Sequence, residues 1–247
     1  DQIKAAGLRL SRSCGEHVVP VRALHLGELG QVREPFEAVF VAVKAYDTEW
    51  ATQLAVDHLS RRRDSPRARR LAEIMSEVAP AEVTTNLWGE RWSKLALNCM
   101  LNPLAGLSGL GTAEVRSDKV ARRVAAHIGA EVVRVGSALG HRIEPILGIA
   151  ARRFGEAADT GAIETLGREI AADAQSRSGG RPSMLQDVMK GRRTEIDYLN
   201  GFVAAEGRKV GIPTPFNDAV VDAFHARGVG RVEPDPRNLD PLVRLLS

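Results

Sequence analysis

Cysteine is scarce in this chain. Its two cysteines, Cys14 and Cys99, build no disulfide framework, so a reducing cytoplasm is the expected compartment. Cys99 sits inside an apolar stretch and is expected to pack as a small hydrophobe. The six histidines are scattered, with no His-x-x-x-His or Cys-x-x-Cys pair, which argues against a structural metal. Aromatic residues make up 4%, which leaves few platforms for stacking single strands. The net charge of +3 is a mild excess, not the concentrated stripe of a nucleic-acid binder. No apolar run reaches membrane-spanning length, and the opening residues show no signal-peptide pattern. Also missing is a strand that runs into a Gly-x-Gly-x-x-Gly turn. These absences leave a soluble globular protein whose basic excess suits a small anion, with neither nucleic acid nor membrane as partner. The 247 residues suffice for one large domain or two small ones.

What is present centres on Trp88 to Leu110. Read as a helix, this stretch lines up Lys94, Asn98 and Asn102, each four residues apart and so close to one stripe. Trp92, Leu95, Leu97, Met100, Leu101 and Leu104 make the rest apolar, so the three polar groups are expected on an otherwise buried helix. A buried polar group without a partner costs on the order of 1–3 kcal/mol, and three in register suggest a polar ligand that completes them. The plainer reading keeps its place: the two amides bond a neighbouring helix and Lys94 snorkels to water. Pro103 is expected to kink or end the helix at Asn102.

Before that helix the chain reads as mixed α/β. Asp1 to Ala6 has helical character, stopped by Gly7. Leu8 to Leu10 and Val18 to Leu24 are strand-like, with Ser13-Cys14-Gly15 as the turn between them. Phe36 to Lys44 is nearly continuous apolar, as for a strand buried on both faces of a parallel sheet. Lys44 ends that strand on the carboxyl edge, where open α/β sheets bind ligands; the competing reading is a solvated strand end. Asp47 or Thr48 caps a helix expected to run to Leu59. A basic run over 60–70 reads as a solvated linker, and a helical period resumes from Arg67 to Val78.

From Trp88 onward helices are expected at 88–102, 113–139, 142–154, 161–176, 183–210 and 215–227. The composition shifts near residue 86. The expected fold class is therefore α/β plus all-α, an incomplete Rossmann-type parallel sheet domain at 1–85 followed by a helical domain at 86–247. Glu233 to Arg237 reads as an exposed connector, and Leu242 to Leu246 as a last docked turn.

A second constellation opens at Ser183. With Gln186 three residues later it matches a capping box, and a helix N-terminus there suits a carboxylate. Further on, Glu195 and Asp197 alternate with apolar residues, so at least one is expected to face inward.

Trp92-Ser-Lys-Leu-Ala-Leu-Asn-Cys-Met-Leu-Asn-Pro-Leu, Ser183-Met-Leu-Gln-Asp and Thr194-Glu-Ile-Asp-Tyr-Leu-Asn-Gly together closely resemble the ketopantoate reductase (2-dehydropantoate 2-reductase) family. Arg208 to Asn217 and Val41 to Thr48 also resemble it. The resemblance implies a Rossmann domain, a helical C-terminal domain and NADPH-dependent reduction of 2-dehydropantoate to pantoate. It implies Lys94 as general acid, Asn98, Asn102 and Ser183 as substrate ligands, Glu195 as the residue orienting the substrate hydroxyl or Lys94, and Lys44 as a cofactor contact. A homodimer in the cytoplasm is compatible with it. Two departures stand against it: the family's glycine-rich turn is absent, and so is a middle segment with an Asn-Gly loop, near residues 60–70. They leave two rival expectations, a helical dimerisation or binding module without enzymatic activity, and a reductase of another small 2-keto acid.

Overall fold

The computed structural model describes residues 2–12, 15–24, 28, 32, 36, 42–48, 51, 65–77, 83–160, 162–174 and 180–246. The chain divides into two units, Asp1–Arg67 and Ala68–Ser247. The change in composition lies further along, near residue 86.

In the first unit, helix α1 (Gln2–Ala6) stops at Gly7, whose φ of 78° is costly for any residue with a Cβ. Strands β1 (Leu8–Arg12) and β2 (Gly15–Val19) form an antiparallel hairpin that sets Leu8 opposite Val19 and Leu10 opposite His17. The expected strand at Phe36–Lys44 is described only at Phe36 and at 42–44, and the helix expected up to Leu59 lies almost wholly outside the described residues. A 3-10 turn, Ala45–Asp47, follows Lys44, and the Thr48 hydroxyl donates to the Lys44 carbonyl at 3.3 Å.

Helix α2 (Ser65–Ser76) spans the division. The second unit is built on α3 (Leu87–Ser108). Asn86 starts it by accepting from Gly89 N–H, and its amide also donates to the Arg142 carbonyl at 2.8 Å, which ties the helix start to a distant segment. Gly109, at φ 83°, ends it. Helix α4 (Thr112–Ser117) leads to α5 (Lys119–Ala138), which packs along α3. Met100, Leu104 and Leu107 of α3 and Val124, Ile128 and Val132 of α5 are fully buried. The two helices approach closely because Gly136 lacks a side chain: a Cβ there would lie 2.7 Å from the Trp92 ring.

Four expected helices differ in the structure. The central one does not end at Asn102 but runs five residues past Pro103 to Ser108. Proline removes one N–H and so orphans one carbonyl, that of Cys99; Asn200 donates its side-chain amide to it at 3.3 Å. The 113–139 helix breaks at Asp118, whose carboxylate accepts from Val120 and Ala121 N–H and starts α5 afresh. Residues 142–150 are not helical. Leu147 (φ 54°) and Gly148 (φ 76°) form a two-residue turn, with Ile146 and Ile149 exchanging both backbone hydrogen bonds at 2.9 Å. Helix α6 (Ala151–Thr160) starts only after it, followed by α7 (Ile163–Ala174). The 183–210 stretch splits into α8 (Ser183–Met189) and α9 (Asn200–Val210), separated by Gly191 at φ 60° and a 3-10 turn, Ile196–Tyr198.

Helix α10 (Pro215–His225) packs on α9. The C-terminal turns then dock as expected: Leu242 is fully buried, and Asp235 N–H and the Asn238 amide both donate to the Leu107 carbonyl at the end of α3.

Candidate active site

The polar stripe of α3 does not lie in the core. Its core face is Trp92, Ala96, Cys99 and Met100; Lys94 is exposed, and Asn98 and Asn102 are half-buried. The expectation of a buried lysine is thus corrected: α3 is covered on one face by α5 and α8, and Lys94 points off that face. Lys94 and Asn98 line one groove of about 360 Å³ together with Trp88, Arg91, Trp92 and Leu95 of the same helix. Tyr198, Leu199 and Phe202 form its other wall. A groove of that size, apolar with a few convergent polar groups, is the usual form of a small-molecule site.

The groove's aromatic wall is braced. The Arg91 guanidinium lies 5.1 Å from the Trp88 ring centroid, and His141 stacks on Trp88 at 5.8 Å. Trp92 packs between His141 at 5.5 Å and Phe202 at 6.1 Å. Composition gave no hint of this wall, because its aromatics form two pairs, Trp88 with Trp92 and Tyr198 with Phe202, that lie about a hundred residues apart and meet only in the fold.

The remaining candidate residues stand elsewhere. Asn102, one turn beyond Asn98, is not among the groove's lining residues, nor are Ser183 and Glu195. Glu195 is half-buried at the start of the 3-10 turn that leads to Tyr198, and its carbonyl accepts from Tyr198 and Leu199 N–H. Ser183 is exposed, and the expected capping box does not form. Gln186 N–H bonds the Pro182 carbonyl, so Pro182 holds the cap position and Ser183 is already helical; the Gln186 side chain donates to the Arg181 carbonyl at 3.0 Å instead. Lys44 belongs to the first unit and is half-buried beside its turn.

Beneath α3 lies a polar chain that the sequence reading missed. Glu131 of α5 accepts from Phe216 and Asn217 N–H, both at 2.9 Å, and from the Asn217 side chain at 2.7 Å. It thereby caps α10 from another helix. Asn217 in turn accepts from Asn200 at 3.0 Å. Burial pushes the Glu131 carboxyl up to about 7, against the pull of its three donors, with the nearby Asp218 charge adding to the rise. Burial also pushes the Cys99 thiol far above its ordinary range, which makes it inert. The one available clue was an acid in the apolar run Ala130-Glu131-Val132-Val133.

A smaller cavity of about 150 Å³ holds the His225–Asp197 pair, 2.7 Å apart, and is lined by none of the candidate residues. Among the described residues no group of His, Cys, Asp and Glu is placed to hold a metal ion, and no helix is long and apolar enough to cross a membrane.

The family model described as "Ketopantoate reductase PanE/ApbA C terminal" matches residues 86–228, more than half of the chain. The chain belongs to this family. Lys94, Asn98, Asn102, Ser183 and Glu195 all fall within the match, and Lys44 precedes it. The 2-dehydropantoate 2-reductase of Mesorhizobium japonicum is 34% identical over 168 residues, which cover 68% of this chain and 45% of that protein. That of Pyrobaculum aerophilum is 30% identical over 137 residues, 56% of this chain and 42% of that protein. The chain therefore spans under half the length of these relatives. The crystal structure of a PanE/ApbA family ketopantoate reductase from Ralstonia eutropha JMP134 superposes with a TM-score of 0.66 at 22% identity, covering 89% of this chain and 84% of that one. A D-mandelate dehydrogenase structure with NADH and anilino(oxo)acetate gives 0.68 at 19%, over 91% and 86%. These two likenesses show the fold, an α/β unit followed by a helical one.

Proposed function

We propose that this ketopantoate reductase family chain reduces 2-dehydropantoate to pantoate with NADPH, with Lys94 as the general acid. The observation that carries the reading is the placement of Lys94 and Asn98 in one groove, on the helix that matches the family. A bound nicotinamide supplies a hydride to the keto carbon. As that bond forms, the carbonyl π pair moves to oxygen, and the Lys94 ammonium stabilises the charge and gives up a proton to it. Its exposure lets it take a replacement proton from water. Asn98, Asn102 and Ser183 hold the substrate, and Glu195 orients the substrate hydroxyl or Lys94. Lys44 suits the cofactor: it is a half-buried lysine beside the Ala45–Asp47 turn, its charge complementary to a phosphate. By the same reading the protein works in the cytoplasm, and a homodimer is compatible with that role.

The groove's wall of Trp88, Trp92, Leu95, Tyr198, Leu199 and Phe202 favours a second reading, a keto acid with a larger apolar substituent. One assay separates them: the fall in NADPH absorbance with 2-dehydropantoate and with a panel of aliphatic and aromatic 2-keto acids. Fastest turnover of 2-dehydropantoate supports the first reading, and preference for an aromatic keto acid supports the second. Absence of any turnover, with no NADPH binding by fluorescence, leaves the rival helical binding module.

A further inference from the structure

We propose that Asn200 is a positioning residue for the substrate amides: its buried side chain takes the Cys99 carbonyl that Pro103 orphans, and so holds the turn of α3 that presents Asn98 and Asn102. The assignment of those amides to substrate rests on the reductase reading above.

Pro103 lies inside α3, where it has no N–H to give the carbonyl four residues back, and its ring crowds that same carbonyl. The Cys99 carbonyl is turned toward α9 and accepts from the Asn200 amide at 3.3 Å. The second amide hydrogen of Asn200 goes to Asn217, whose own amide goes to Glu131 and to the Ile128 carbonyl. Asn200 and Asn217 are fully buried, so the Cys99 turn is held through a polar chain to α9, α10 and α5 and not through water. The Asn200 side-chain oxygen has no partner, although it is buried.

A helix built for stability alone would carry neither the proline nor the buried amide. An alanine at 103 would return a helical N–H to the Cys99 carbonyl, which would then need no buried amide from another helix. Local rules broken together, with a specific compensation, are found where function requires the geometry. Here the break falls on the turn that carries Asn98 and Asn102, and Asn102, as the residue before the proline, has a restricted backbone of its own. Asn200 does not line the groove, and its action is exerted through α3.

The test uses the full chain with Asn200→Leu, Pro103→Ala and the double variant, in two measurements. Amide hydrogen exchange over residues 96–106 needs no turnover. The second is KM and kcat for the keto acid and KM for NADPH. We expect Asn200→Leu to speed exchange in that turn about tenfold and to raise the keto-acid KM by a similar factor, since the Cys99 carbonyl loses its donor, as does the Asn217 oxygen. The KM for NADPH should stay as in wild type. Adding Pro103→Ala gives the Cys99 carbonyl a helical N–H and should return both quantities part of the way, the Asn217 oxygen still lacking its donor. A double variant no better than Asn200→Leu, or a single variant with unchanged exchange and KM, overturns the proposal. A wild-type chain that reduces no keto acid defeats the reductase reading, and the exchange comparison then decides whether Asn200 holds the turn. If Asn200→Leu does not fold, Asn200→Ser in both backgrounds gives the same comparison.

Discussion

Lys94 is exposed on the groove side of α3, so its removal should leave the core intact. Lys94→Ala is expected to lower kcat by about 10²–10⁴-fold, the usual worth of a positioned acid, with an unchanged melting temperature. Turnover within a few-fold of wild type would take Lys94 out of the chemistry. Glu131 makes the opposite case, a buried residue that does not line the groove and on which stability depends. Its folded-state pKa is raised from 4.5 to about 7, so the folded protein holds this proton more tightly than the unfolded chain does. The resulting stabilisation is full below the unfolded value and is lost as pH rises through about 7; a shift of this size corresponds to roughly 3–4 kcal/mol. Melting temperature should therefore fall between about pH 5 and about pH 8 in wild type, and much less in Glu131→Gln. The variant should also be less stable at the acid end by about 1–3 kcal/mol, because one amide oxygen cannot serve three donors. Equal pH slopes for the two proteins would remove Glu131 as the titrating group.

At the scale of elements, the close pairing of α3 with α5 depends on glycine. In an exposed helix Gly→Ala gains about 1 kcal/mol. At Gly136 the new methyl would stand 2.7 Å from the Trp92 ring and 2.8 Å from Ile143, both packed in place. Gly136→Ala should instead destabilise by about 1–3 kcal/mol in urea unfolding, and it should perturb the groove because Trp92 lines it. A stability gain would show that the helices can part at no cost. Helix α8 yields a different expectation. Ser183 makes no capping bond, so Ser183→Ala should leave the melting temperature unchanged and raise only the keto-acid KM. A melting shift with unchanged kinetics would make Ser183 structural.

On the scale of the molecule, the proposed roles divide between units. Lys44 lies in the first and the Lys94 groove in the second, so their variants should fail differently. Lys44→Ala should weaken NADPH by about 5–30-fold and leave NADH nearly unchanged, as for one charge-assisted contact to the 2′-phosphate. The difference should shrink as salt rises, because a partly exposed charge is screened. Cofactor titrations at low and high salt decide it: equal weakening of both cofactors would move Lys44 to the pyrophosphate, and no effect would leave it a strand-end charge.

What the sequence alone determined is local. The stop at Gly7, the strand character of Leu8 to Leu10, helical periods on both sides of each break and the apolar docking turn at Leu242 follow from φ preferences and hydrophobic spacing within a few residues. The Lys94–Asn98–Asn102 stripe is local for the same reason, since helical spacing alone aligns it. Tertiary structure decided what depends on distant partners. Pro103 reads as a helix end until Asn200, nearly a hundred residues on, supplies the missing donor. Lys94 reads as buried until α5 and α8 show which face of α3 they cover. Glu131 is only an acid in an apolar run until α10 brings its first N–H groups to it. In each case a backbone or side-chain polar group takes its meaning from the atom that satisfies it, and that atom is chosen by packing.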